Sequence, residues 1–93
     1  MKRLLLRSSS FVRAAKRVIK KNPDFAGSLR DALDLLENDA FDHRLRTHKL
    51  KAKLGGSWAC SAGYDFRIIF QFVQYEGQEA ILLETIGTHE EVY

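Results

Sequence analysis

His48 heads a segment in which Lys49, Lys51 and Lys53 recur at alternate positions, and His89 and Tyr93 close the chain. Arg67 stands between them, alone among Ile and Phe. Alternate residues of an extended segment share a face, so the three lysines can line one surface. Histidine titrates near neutrality and can both take and give a proton. These are the parts that metal-free RNA cleavage requires. A base takes the proton of a ribose 2′-OH, cations stabilise the crowded phosphorane, and an acid protonates the leaving 5′-oxygen. Tyr93, Trp58 and Tyr64 add rings on which a base can stack.

Each residue also has an ordinary reading. A lone histidine is more often structural or simply exposed. Lysines on an edge strand discourage edge-to-edge aggregation, and a lone tryptophan is more often core than platform. The three histidines, His43, His48 and His89, show no HxxH or HxxxH spacing, so no metal site is expected. Cys60 alternates with Trp58 and Ala62 and reads as a packed thiol rather than a nucleophile. From composition and spacing alone, the residues define an anion-binding surface, with RNA among the candidate anions.

The charge is uneven. Residues 1–22 carry eight Lys/Arg and no acid, and residues 43–53 carry five and none. Residues 23–42 and 54–93 each carry one Arg and six acids. Two basic blocks thus alternate with two acidic ones, which suits a polyanion or an acidic protein partner, or else a solvated helix face. At 93 residues one domain, 1–93, is expected. A single cysteine excludes an internal disulfide and points to a reducing compartment. The apolar run Leu4–Leu6 is too short for a signal peptide, and no stretch approaches the roughly 20 apolar residues that cross a bilayer. The expectation is a cytoplasmic protein with no membrane contact.

Periodicity supplies the elements that must position these groups. Arg3 to Arg7 reads as a short strand. Ser8–Ser10 offers a helix cap, and Phe11, Ala14, Ala15, Val18 and Ile19 form one helical stripe that ends at Asn22-Pro23. A second stripe, Phe25, Leu29, Ala32, Leu33 and Leu36, follows after a short break and closes at Asn38-Asp39, which predicts an antiparallel helical hairpin. From Thr47 the pattern turns to strands: Thr47–Leu50, Ser57–Tyr64, Phe66–Val73 and Ala80–Ile86, with turns at Gly55-Gly56 and Glu76-Gly77. The expected fold class is α+β, a strand and helical hairpin packed on a mainly antiparallel sheet in β-α-α-β-β-β order. Phe66 and Ile68 then face the helices, and Arg67 faces the open side.

Four pieces occur in order along nearly the whole chain: His48-x-Leu50, Gly56-x-Trp58, Asp65-Phe66-Arg67 and Gly87-Thr88-His89-x-x-x-Tyr93. In this the sequence resembles the RelE/ParE toxin superfamily of bacterial type II toxin–antitoxin systems, and within it the YafQ-like mRNA interferases. The resemblance implies the β-α-α-β-β-β fold and a toxin that cuts mRNA on the ribosome by 2′-OH attack, without cofactor or metal. It implies a cognate antitoxin, acidic where it meets the basic blocks. Residue by residue, it marks His48, Asp65, Arg67, His89 and Tyr93 as catalytic, with His89 the general acid, Arg67 a phosphate contact and Tyr93 the terminal aromatic. Lys49, Lys51 and Lys53, with Arg67 and Trp58, are marked as RNA-binding.

One position departs from the pattern. YafQ-like members carry a further histidine about four residues before the aspartate, where this chain has Ser61. The base is then His48 alone, or His48 assisted by Lys49 or Lys51. The same fold also serves ParE-like toxins that inhibit DNA gyrase by binding, so the fold alone does not decide the activity.

Overall fold

The computed structural model describes residues 2–50 and 56–92. Strand β1 (Leu4–Arg7) is followed by helices α1 (Ser9–Lys21) and α2 (Phe25–Asn38) and a 3-10 turn (His43–Leu45). Then come β2 (His48–Lys49), β3 (Trp58–Ala62), β4 (Phe66–Tyr75), β5 (Gln78–Thr88) and a last helical turn, α3 (His89–Val92). The five strands lie in the order β1-β5-β4-β3-β2. Only β1 with β5 is parallel. The expected α+β fold is present, with the expected strand Thr47–Leu50 shortened to β2, and the chain adds α3, which periodicity did not signal. Lys51, Lys53, Tyr93 and the first glycine of the expected Gly55-Gly56 turn lie outside the described residues.

Local chemistry explains the helices. The Ser8 Oγ accepts from the Phe11 amide at 3.0 Å, filling one of the open donors of the first turn of α1. Phe11, Ala14 and Val18 of α1 and Phe25, Leu29, Ala32 and Leu36 of α2 are buried. They form one core with Cys60, Ala62, Ile68, Phe70, Ile81, Leu83 and Ile86 from the sheet. Fully burying a side chain of this size contributes about 1.5–3 kcal/mol, so this interface carries most of the stability. The acidic face of α2 is not held against the basic face of α1: among the described residues no ion pair joins them.

The β3–β4 connection departs from simple alternation. Tyr64 was expected in the row of Trp58, Cys60 and Ala62, yet its side chain is 100% exposed. Gly63 ends the strand with a positive φ of 64°, and a Cβ there would press on Phe25 and Ser28 at 3.2–3.3 Å. The chain turns because glycine permits both that backbone conformation and that approach to α2.

Candidate active site

Burial against the helices consumes one face of the sheet. Phe66 packs on Phe25 with ring centroids 4.4 Å apart. Side chains alternate along a strand, so Arg67 emerges on the opposite face, as the sequence predicts. Register places Ser61, Arg67 and Gly87 side by side across β3, β4 and β5. The neighbouring row is His48, Ala59, Ile69 and Thr85. From strand spacing and rise, the Ser61 Cα lies roughly 5 Å from that of Arg67 and roughly 8 Å from that of His48. Ser61 therefore stands between the candidate base and the candidate phosphate contact.

Arg67 is half-buried, and its Nη1 donates to the Phe66 carbonyl at 2.9 Å. A guanidinium has five N–H donors, so that bond orients the group and uses one of them.

His48 is exposed on the edge strand, and its Nδ1 lies 3.0 Å from the Arg46 carbonyl. A carbonyl only accepts, so Nδ1 carries the hydrogen and the lone pair of the neutral ring sits on Nε2. Arg46 takes a left-handed conformation, φ 52°, as it ends the 3-10 turn. The turn itself is held by Asp42, whose carboxylate accepts from the Arg44 amide at 2.9 Å and from two guanidinium nitrogens at 2.9 and 3.0 Å. Those bonds keep the Asp42 carboxyl far below the usual carboxylate range. The sequence reading attached no role to this Asp-x-Arg-x-Arg segment.

His89 opens α3, directly after β5. The Thr88 amide donates to Glu91 Oε1 at 2.8 Å, and the Glu91 amide donates to Thr88 Oγ1 at 3.3 Å. This is a capping box, written in the sequence as Thr-x-x-Glu and passed over by the reading of the tail. Hydrogen bonds from Thr88, with smaller help from Arg17 and Lys21 of α1, hold the Glu91 carboxyl below its ordinary value. Gly87 permits the fold-back, since a Cβ there would meet Glu91 and Val92 at 3.1 Å. Asp65, exposed in the β3–β4 turn, shares with Thr88, His89 and Glu90 an open cleft of about 350 Å³.

Other sequence candidates fall elsewhere. Lys49 pairs in register with Trp58, so it lies on the helix side of the sheet, not on the face of His48 and Arg67. The expected single face of Lys49, Lys51 and Lys53 therefore does not include His48, and only Lys49 of the three is described. Trp58 is half-buried, edge-on to Phe41 at 5.6 Å and to Phe72 at 5.2 Å, on the same helix side. Its ring fills an aromatic cluster rather than the face of Arg67. Cys60 is fully buried, and burial pushes its thiol up to about 12, with Arg67 opposing weakly. At neutral pH it is no nucleophile.

The chain matches the family model described as "Bacterial toxin of type II toxin-antitoxin system, YafQ" over residues 3–93. Among solved structures, Escherichia coli YafQ is similar with a TM-score of 0.78 at 18% identity, covering 99% of each chain. A metal-bound toxin from Helicobacter pylori is similar with a TM-score of 0.75 at 20% identity, covering 100% of each chain. A YoeB/ParE toxin from Agrobacterium tumefaciens has a TM-score of 0.74 at 12% identity, covering 92% of this chain and 98% of its own. The E. coli DinJ–YafQ toxin–antitoxin complex is also similar, with a TM-score of 0.77 at 20% identity, covering 99% of each chain. No curated protein matches the sequence significantly.

Proposed function

The chain belongs to the YafQ family of toxins of bacterial type II toxin–antitoxin systems, and from that premise we propose that it is a ribosome-dependent endoribonuclease that cuts mRNA without a metal. His48 Nε2 takes the proton of the ribose 2′-OH. The 2′-oxygen attacks phosphorus, the bond to the 5′-oxygen breaks, and a 2′,3′-cyclic phosphate forms. His89 gives its proton to the departing 5′-oxygen. Arg67 donates to the non-bridging oxygens, whose charge grows in the transition state. Asp65 lines the cleft beside His89 and orients that side of the site. Tyr93, four residues beyond His89 in the sequence, is the stacking ring, and Lys51 and Lys53, three and five residues beyond His48 in the sequence, add positive charge.

The observation that carries this reading is the arrangement around Arg67. The cation projects from the sheet face opposite α1 and α2, with the His48 edge on one side and the β5–α3 junction that bears His89 on the other. A protein that only grips another protein has no need of two proton-transfer groups flanking a cation.

The partner that holds such a toxin inactive is an antitoxin, as the DinJ–YafQ complex illustrates for the E. coli protein. For this chain it is an acidic segment, complementary to the basic blocks of residues 1–22 and 43–53.

Primer extension on translating ribosomes, with wild-type protein and His89→Ala in parallel, tests the reading. Discrete cuts within the message that disappear in the variant support it. An intact message while growth arrests sinks it and favours a binding mechanism of the gyrase-inhibitor type.

A further inference from the structure

The sheet face opposite α1 and α2 carries a carboxylate as well as a cation. In the β4–β5 pairing Ile69 faces Thr85 but Phe70 faces Leu83, so Glu84 is an extra residue in β5. Such a bulge re-aims side chains, and here Glu84 and Thr85 both fall on the face opposite the helices. Glu84 is half-buried. Its Oε1 accepts from Ser57 Oγ at 2.7 Å and its Oε2 from Gln71 Nε2 at 3.4 Å. Ser57 is only 4% exposed, and among the described residues no cation pairs with Glu84.

A surface shaped for phosphate alone has no use for a held carboxylate that no described cation neutralises. An ionised carboxylate offers about four acceptor positions, and Ser57 and Gln71 fill two. Toward the described residues each oxygen therefore keeps acceptor capacity, in an orientation fixed from both sides. Glu84 lies three residues before Gly87, the cross-strand partner of Arg67, so the two groups are separated by roughly 10 Å along the strand. A phosphate at Arg67 and the base of its own or the adjacent nucleotide can bridge that span. Unstacked bases of single-stranded RNA are read on their Watson–Crick edges.

We propose that Glu84, oriented by Ser57 and Gln71, is a base-reading subsite that accepts from the Watson–Crick edge of a guanine next to the cleaved phosphate. Guanine offers two parallel donors, N1–H and the 2-amino group, to the two carboxylate oxygens. Uracil offers one donor between two acceptors, and those acceptors face the carboxylate with repulsion. The subsite rests on the nuclease reading and names its specificity residue.

The test is cleavage of ribosome-bound messages that differ by guanine or uracil at each position flanking the cut, with wild-type protein, Glu84→Gln and Gln71→Met. The expected result is a guanine preference at one position that falls about tenfold in Glu84→Gln, the scale of one bidentate base contact, and falls less in Gln71→Met. The readout is the guanine-to-uracil ratio, which a role confined to bracing the bulge leaves unchanged. An unchanged ratio in both variants, or a wild-type protein indifferent to the base at every flanking position, overturns the subsite. If Glu84→Gln fails to fold, Gln71→Met decides by the same ratio. Absence of any wild-type cutting overturns the nuclease reading itself, and the subsite with it.

Discussion

Thr88 and Glu91 bond to each other reciprocally across the first turn of α3, amide to carboxylate at 2.8 Å and amide to hydroxyl at 3.3 Å. His89 lies inside that closed loop, so its direction is set by a carboxylate two residues away. Replacing Glu91 by Gln keeps the size and weakens both the charge-assisted bond and the attraction from Arg17 and Lys21. Cleavage is expected to fall about ten- to a hundredfold, the scale of a misplaced catalytic group, while the melting temperature changes little because α3 buries no side chain. Parallel rate and melting measurements check this. Equal loss of both would assign Glu91 to general folding instead.

The same bonds predict a pH dependence. The folded-state values of Glu91 and Asp42 lie below their ordinary values. Each group therefore contributes stability above its unfolded-state value, and loses it as pH falls through the lowered folded-state value. Acid titration followed by the Thr88 and Arg44 amide signals should show each cap opening only below the ordinary value of its own carboxyl. Opening of either cap above that value would contradict the assignment.

Gly87 gives a steric test of the same junction. Its φ is not in the left-handed region, so a side chain is excluded by contact, not by backbone conformation. Gly87→Val should displace α3 from β5 and abolish cleavage, with the helix-facing core untouched and the fold retained. An active Gly87→Val protein would show that α3 need not dock there for His89 to work.

Much of this was legible because burial has a period. The helical stripes from Phe11 and Phe25 and the alternation around Phe66–Phe72 fix which face of β4 is spent on the core, and so fix where Arg67 points. The hidden part depended on events that break the period. The bulge at Glu84 puts two successive residues of β5 on one face. The left-handed Arg46 turns a carbonyl toward His48. The capping box at Thr88 was visible as a motif, but four residues at a chain end carry too little periodicity to announce a helix.

Cys60 is expected to be chemically silent. A thiol pushed up to about 12 is overwhelmingly protonated at pH 8, and it is fully buried in the core. Native protein should resist alkylation at pH 8 and react only on unfolding, as mass spectrometry of iodoacetamide-treated samples would show. Cys60→Ala should cut RNA as the wild type does and lose about 1 kcal/mol or less of stability, because only one heavy atom leaves the core. Rapid labelling of the native protein would mean that the β3–β4 region opens far more readily than its packing allows.

Ser61 offers the opposite kind of test, a gain. It stands in the row of Arg67 and Gly87, on the face opposite α1 and α2, and is only half-buried, which leaves its side solvent-accessible for a larger ring. An imidazole at this point, roughly 5 Å from the Arg67 Cα by strand spacing, approaches a phosphate held by Arg67 more directly than one on the edge strand does. If the distance from His48 limits proton removal, Ser61→His should raise the cleavage rate by about tenfold or more, a fraction of the roughly 100- to 10,000-fold that a well-placed base contributes. It should also add an ionisation near the ordinary histidine value, about 6.5, to the pH–rate profile. His48→Ala should then inactivate the wild type but spare much of the activity in the Ser61→His background. A rate and pH profile unchanged by Ser61→His would mean that His48 Nε2, aimed by the Arg46 carbonyl, already supplies the base this chain uses.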